Sequence, residues 1–375
     1  MLGGGQLGRM LIQEATKFDL DMWFMDKDFD YPVPSMFPNF VKGDFKNYED
    51  VLAFGKAVDI VTIEIENVNT DALKVLENLG KKVYPQARVI ETIKDKGLQK
   101  MFYQEESLPT SEFFLVKDKA EIEAKISSGQ LLFPFVQKSR LAGYDGKGVV
   151  TVKSRQDLPK LLDTPSVIEQ LVDIEKELAV IISRNTNGDT ECFPITEMVF
   201  EPKGNLLDYL LCPAEVSAEL VTNCNSLATS IITKLEMVGI LAVEFFLDKN
   251  GQILINEVAP RPHNSGHHTI DTGTYSQYNS HLRCLLDWPL LPVSQHGYAM
   301  MINVLGSEGH VGSPVYNGLN SIMQIESVYP HIYGKKLTKP LRKMGHVTIV
   351  GDSKTELLDK MAQIKSSLKV ESCQK

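Results

Sequence analysis

The sequence predicts an α/β fold, α+β overall, built in three parts, and three observations carry that prediction. Helix and strand periods alternate as far as about residue 90, two glycine-turned β-hairpins occupy the middle, and short strands with one capped helix close the chain. A chain of 375 residues is long enough for two or three domains with cores of their own. The boundaries fall near residues 90 and 290, giving parts 1–90, 91–290 and 291–375.

In the first part, Leu7, Met10, Leu11, Glu14 and Ala15 keep a helical period after a run of glycines. Residues 21–25 and 59–63 read as strands. Leu73, Leu76 and Leu79 mark a helix over residues 70–79 that Gly80 ends. This βαβ alternation implies a parallel sheet covered by helices. Only Met1 and Leu2 precede the glycines, so the opening strand is clipped and a natural start before Met1 is expected.

Residues 87–104 read as helix, and Pro109 opens a mixed region with antiparallel strands. Residues 133–138 and 149–152 are the arms of a hairpin whose tip lies in "SRLAGYDGKGVV", residues 139–150. The tip is not a Walker loop, because Gly146-Lys147 is followed by Gly148 and a β-branched run rather than by Ser or Thr and a helix. Further on, Leu227, Ile231, Leu235 and Val238 line a helix with Gly239 as its C-terminal cap. Residues 240–247 and 252–258 are strands turned by Asn250-Gly251. Short strands fill most of residues 298–350. A last helix follows, with Ser353 and Glu356 as a capping box and Leu357, Met361, Ile364 and Leu368 on one face.

Apolar residues make up 43% and charged residues 23% of the chain, as in an ordinary globular protein. The net charge of −9 argues against a nucleic-acid or membrane-surface binder. Five cysteines without a Cys-x-x-Cys pair argue against a disulfide framework or a structural zinc site, and a cytoplasmic location is expected.

Two motifs compete for the chemistry. Gly3-Gly4-Gly5-Gln6-Leu7-Gly8 fits G-x-G-x-x-G, with Asp26 placed to hold a ribose, which makes an NAD-dependent oxidoreductase a rival. The stronger constellation is the second hairpin. With a two-residue turn, Lys249 opposes Gln252, Phe246 faces Ile255 and Glu244 faces Glu257. Facing side chains have Cβ atoms about 5 Å apart. Two carboxylates at that spacing repel by roughly 3 kcal/mol at an effective dielectric of 20. A divalent cation removes the conflict, and Asn256 adds an oxygen. Such a set suits Mg2+, and Mn2+ accepts the same oxygens. Combined with the glycine-rich hairpin, it points to ATP held between two β-rich lobes.

These residues resemble the ATP-grasp superfamily and, more narrowly, its N5-carboxyaminoimidazole ribonucleotide synthetase family. The resemblance runs through "GGGQLGRM" at 3–10, "IEIENV" at 63–68, "GYDGKG" at 143–148, "IEQ" at 168–170, "EFF" at 244–246, "INEVAPRPHNSGHHT" at 255–269 and "RKMGH" at 342–346. It implies a preATP-grasp, Rossmann-like domain over 1–90, an ATP-grasp domain over 91–290 and a β-rich C-terminal domain over 291–375. Arg88 and Lys138 would meet the ATP phosphates under a flap of Gly143, Tyr144, Asp145, Gly146, Lys147, Gly148 and Val149. Glu169, Gln170, Leu171 and Val172 would line the adenine slot, Glu177 the ribose, and Asn256 would complete the nucleotide site. Glu244 and Glu257 would bind Mg2+.

The implied reaction makes carboxyphosphate from bicarbonate and ATP, then carboxylates the amine of 5-aminoimidazole ribonucleotide. Carboxyphosphate is destroyed by water, so a lid is required, and Asp145 and Lys147 stand on the candidate lid. Arg261 suits bidentate capture of a planar oxyanion, and His263, Asn264 and Ser265 follow it to orient bicarbonate or amine. A zinc trio of His263, His267 and His268 is disfavoured, since Pro262 and Gly266 break the helix it needs. The basic run Lys335, Lys336, Lys339, Arg342, Lys343 suits a 5′-phosphate. Lys335, Arg342 and Lys343 match family positions for the ribonucleotide, as do Gln6, Glu66 and Tyr144. A homodimer is implied. Another ATP-grasp ligase for a phosphorylated amine is the alternative. The chain departs from the family at Phe200, where many members have His.

Overall fold

A computed structural model describes residues 1–141, 148–201 and 206–373. The first part begins with Leu2, a single extended residue bridged in parallel to both Met25 and Ile63. Leu2 therefore lies between the strands that contain Met25 and Ile63. Helix α1 (Gln6–Ala15) follows the glycines. Strand β1 (Phe24–Asp26) pairs with β2 (Phe40–Lys42), helix α2 covers Tyr48–Lys56, and β3 (Ile60–Val61) pairs with β4 (Lys82–Val83) across α3 (Thr70–Asn78). Both ladders are parallel, as the βαβ alternation requires. Residues 21–23, expected in β1, precede it.

The helix expected over 87–104 is two helices, α4 (Ala87–Lys94) and α5 (Lys96–Glu105). Asp95 breaks them. Its backbone is extended and its carboxylate caps α5 through the N–H groups of Gly97 and Leu98. Arg140 then clamps that carboxylate at 2.8 and 2.6 Å.

A four-stranded antiparallel sheet forms one lobe, with β5 (Phe113–Val116), β6 (Phe135–Ser139), β7 (Val149–Val152) and β8 (Ser166–Gln170) in the order β5-β8-β6-β7. Helix α6 (Lys119–Ser127) covers it, and the β6–β7 hairpin has the expected arms. The opposing lobe is built on β9 (Ile174–Arg184), β10 (Thr190–Cys192), β11 (Thr196–Phe200), β12 (Leu207–Cys212), β13 (Gly239–Asp248) and β14 (Ile253–Ala259). Helix α7 (Ala218–Lys234) buries Cys224, Ala228, Ile231 and Ile232 against β9 and β13. Gly239, expected to cap α7, is instead the first residue of β13, and Glu236 takes the left-handed turn with φ 46°.

After α8 (Thr269–Thr272) and α9 (Gln277–Leu285), β15 (Tyr298–Leu305) pairs with β12. The chain adds β16 (Pro314–Asn317), α10 (Leu319–Ile322), β17 (Val328–Ile332), β18 (Lys343–Gly351), α11 (Lys354–Ser367) and β19 (Lys369–Ser372). One nine-stranded sheet runs β14-β13-β9-β11-β12-β15-β18-β17, with β10 beside β9. Strands on both sides of residue 290 thus share one ladder. Ser353 accepts from the Glu356 amide, while Glu356 accepts from Asp352, one residue before the expected partner of a capping box. Among the described residues, no helix is long and apolar enough to cross a membrane. Cys192, Cys212, Cys224 and Cys284 form no disulfide.

Candidate active site

Glu244 and Glu257 are paired directly across β13 and β14. The register that brings them together differs from the one a two-residue turn gives. Asp248 and Gln252 close the turn, Phe245 faces Ile255 and Phe246 faces Leu254. Asn256 is then an extra residue in β14, a bulge that advances the register by one and restores the Glu244–Glu257 pair. Glu177 on β9 faces Phe246, so Glu177, Glu244 and Glu257 share one face of the sheet.

The repulsion assigned from sequence to a cation is met here by lysines. Lys96, the first residue of α5, bonds Glu257, and its side chain is only 18% exposed. Lys138 on β6 reaches between the lobes to Asn256 Oδ1 at 2.9 Å and to Glu169 at 3.0 Å. Lys100 completes the cluster, buried against Glu169 at 3.1 Å and held by Thr110 and Ser111.

Burial and charge divide the acids. Burial, then the charge of Glu257, pushes Glu244 up to about 8, and burial lifts Glu177 to about 7. Burial works upward on Glu257 also, but Lys96 overrides it and holds that carboxyl below its usual value. Glu169 is driven down to about 2, because Lys138 and Lys100 overturn the effect of its burial. Burial lowers Lys100 to about 8. The site therefore keeps Glu257 and Glu169 charged and holds protons on Glu244 and, in part, Glu177 at neutral pH.

On the other side of Glu244 stands the loop after β14. His263 Nε2 is 3.5 Å from Glu244, its Nδ1 is 2.9 Å from Ser265 Oγ, and its backbone is pinned by Gln277. Asn264 opens the short turn that follows. Arg261 forms an ion pair with Glu66 at 2.8 Å, joining this loop to the first part. Lys335 donates to the Lys343 carbonyl and lies over the Tyr333 ring, and Arg342 donates to the Leu337 carbonyl. Lys336, by contrast, is paired with Asp30 on the surface.

The glycine fingerprint has another use. Glu64 accepts from the amides of Gly5 at 2.5 Å and Leu7 at 2.9 Å, filling the anion seat at the start of α1. A Cβ on Gly5 would stand 2.5 Å from Glu64 Oε1. Asp26, expected at a ribose, is buried and accepts from Gly4 and Lys27. These glycines cradle the protein's own carboxylates, which removes the dinucleotide reading. Gln6 is the first residue of α1, beside this cradle.

Not every expected residue joins the cluster. Arg88, assigned to phosphates, is half exposed and bound to Glu236 at 2.7 Å, and the cation supplied by this stretch is Lys96. Gly143, Tyr144, Asp145, Gly146 and Lys147 lie outside the described residues. Gly148 and Val149 start the returning arm, while Gln170, Leu171 and Val172 lead from β8 towards β9. Phe200 ends β11 opposite Leu207. Sequence reasoning missed Lys96, Lys100, Ser111 and Gln277. The spacing of Lys96 and Lys100, one helical turn apart behind the capping Asp95, was the available signal.

His267 and His268 are buried. His267 bonds Gln277 and Tyr278. A separate trio, Asp271, His331 and His346, brings ligand atoms within 4.8 Å of one another. Its imidazoles stack at 4.4 Å and 10°, and Asp271 already bonds His331 at 2.9 Å. Parallel rings aim their lone pairs side by side, so this is a stacked pair with a carboxylate anchor rather than a chelate.

Models of known families match each part of the chain. The ribonucleotide synthetase preATP-grasp domain matches residues 1–94, the ATP-grasp domain 101–278 and the phosphoribosylaminoimidazole carboxylase C-terminal domain 299–360. The chain is 35% identical over 370 residues to a phosphoribosylaminoimidazole carboxylase of Saccharomyces cerevisiae, covering 95% of this chain and 64% of that protein. It thus spans about two thirds of the length of such relatives. It is 31% identical to an N5-carboxyaminoimidazole ribonucleotide synthase of Staphylococcus aureus, covering 93% of this chain and 91% of that one. The structure resembles the N5-carboxyaminoimidazole ribonucleotide synthetase from Thermotoga maritima with a TM-score of 0.91 at 36% identity, covering 99% and 98% of the two chains. It resembles the Aspergillus clavatus synthase in complex with ADP and 5-aminoimidazole ribonucleotide with a TM-score of 0.85 at 30% identity, covering 97% and 98%. With its ATP-grasp lobes, its paired carboxylates and these matches along its length, the chain belongs to the N5-carboxyaminoimidazole ribonucleotide synthetase family of ATP-grasp ligases.

Proposed function

We propose that this chain carboxylates 5-aminoimidazole ribonucleotide with bicarbonate at the expense of ATP, giving N5-carboxyaminoimidazole ribonucleotide, ADP and phosphate. The observation that carries this reading is the facing pair Glu244 and Glu257, set against Lys96 and Lys138 on one side and His263 on the other. Glu244, Glu257 and Asn256 offer only oxygen ligands on one hairpin, a set that fits Mg2+ or Mn2+. A bound divalent ion would neutralise phosphate charge there.

The chain's own residues would divide the work. Lys138 binds the phosphates, and Glu177 and the 169–172 segment hold ribose and adenine. A bicarbonate oxygen attacks the γ-phosphorus and ADP leaves. Arg261 holds the resulting carboxyphosphate, and His263, Asn264 and Ser265 orient it. The ribonucleotide amine then attacks the carboxyl carbon, phosphate leaves, and the amine gives up a proton. Lys335, Arg342 and Lys343 would hold the 5′-phosphate, with Gln6, Glu66 and Tyr144 near the imidazole. Asp145 and Lys147 would close the lid.

In this reading parts 1–90, 91–290 and 291–375 act together in a cytoplasmic homodimer. The test is ADP release with bicarbonate, with and without 5-aminoimidazole ribonucleotide, beside direct detection of the carboxylated product. ADP release that neither bicarbonate nor the ribonucleotide stimulates would overturn it.

A further inference from the structure

Lys96 stands where a metal ligand should be free. Its position is fixed, because Asp95 breaks the helix before it, caps α5 and is clamped by Arg140. Its ammonium bonds Glu257 directly. The other cations of the cluster are engaged elsewhere, Lys138 with Asn256 and Glu169, and Lys100 with Glu169, Thr110 and Ser111. A divalent ion on Glu244 and Glu257 would share a carboxylate with that ammonium, and cations at such range in a half-buried site repel strongly.

We propose that Lys96 acts as a built-in cation that holds the divalent seat in the nucleotide-free enzyme, so that metal enters together with a polyphosphate and not ahead of it. Only a ligand that brings its own negative charge offsets the second cation. The proposal rests on the reading of Glu244 and Glu257 as metal ligands.

The test is Mn2+ titration of the full chain without nucleotide, following the electron paramagnetic resonance signal of free Mn2+. Wild type and Lys96→Arg should bind Mn2+ weakly. Lys96→Met and Lys96→Gln should bind it about ten- to hundredfold more tightly, as expected when a competing charge-assisted bond is removed. Wild type binding Mn2+ as tightly as both neutral variants would overturn the gate. The double variant Lys96→Met with Glu257→Gln should lose the gain. If it binds as tightly as Lys96→Met alone, the seat itself lies elsewhere, and the underlying metal assignment falls with the gate.

Discussion

Arg261 and Glu66 stand 2.8 Å apart, an ion pair that ties the loop after β14 to the first domain. Each keeps about a fifth of its side chain exposed, so both remain open to a ligand. Their effects on catalysis should therefore not add. A double-mutant cycle of Arg261→Lys and Glu66→Gln, read in kcat/KM for the ribonucleotide, should show a coupling of about 1 kcal/mol or more. Additive losses would mean that the two act separately.

The facing acids should respond differently to neutralisation. Glu244, raised to about 8 from an ordinary 4.5, must take up a proton when the chain folds at neutral pH, so the already neutral Glu244→Gln should raise the melting temperature. Glu257→Gln removes the partner of Lys96. The cost should be on the order of 1 kcal/mol, kept small because 40% of the Glu257 side chain is accessible. Calorimetry of the two variants decides this, and ADP release should be lost in both. Equal melting temperatures would refute the asymmetry.

Stability should depend on pH through Glu177 and Glu244. Their carboxyls are raised by burial to about 7 and about 8 from an ordinary value of 4.5, so the folded state holds protons that the unfolded chain has released. That contribution is complete below the ordinary value and is lost as pH rises through 7 and 8. The nucleotide-free wild type should lose melting temperature relative to the Glu177→Gln/Glu244→Gln double variant across that window. A difference that stays flat with pH contradicts the assignment.

The basic cluster offers an internal control. Losing one charge-assisted phosphate contact costs about 1.5–3 kcal/mol, or roughly ten- to hundredfold in affinity. Arg342→Ala should raise KM for the ribonucleotide by that factor and leave KM for ATP unchanged. Lys336→Ala should change neither, because Lys336 is spent on Asp30 at the surface. Steady-state kinetics on both substrates separates these outcomes, and a shared rise in both KM values would remove the phosphate site from this cluster.

Local signals in the sequence were enough for the helices capped by Asn69 and Ser353, the β6–β7 hairpin and the Glu244–Glu257 pair. The pair was reached through a wrong turn. A longer turn at Asp248–Gln252 and the bulge at Asn256 shift the register in opposite senses, and neither has a local signature strong enough to read. Lys96 is 161 residues from Glu257 in the chain, and no periodicity reports a contact at that separation. The pairing of Arg88 with Glu236 was hidden for the same reason, since the two are 148 residues apart. The glycines misled because one backbone shape serves phosphate and carboxylate alike. Only the structure reveals Glu64 as the occupant.

The ladder between β12 and β15 makes the last part of the chain hard to remove. A truncation before Tyr298 would strip β12 of its neighbour and leave a row of amides and carbonyls facing water, the kind of edge on which chains aggregate. It would also uncover Leu211, which packs among Met300, Ile302 and Ile349. The C-terminal segment is therefore a structural wall of the catalytic lobe. Swapping it between relatives to change acceptor preference should require transplanting its strand partner as well.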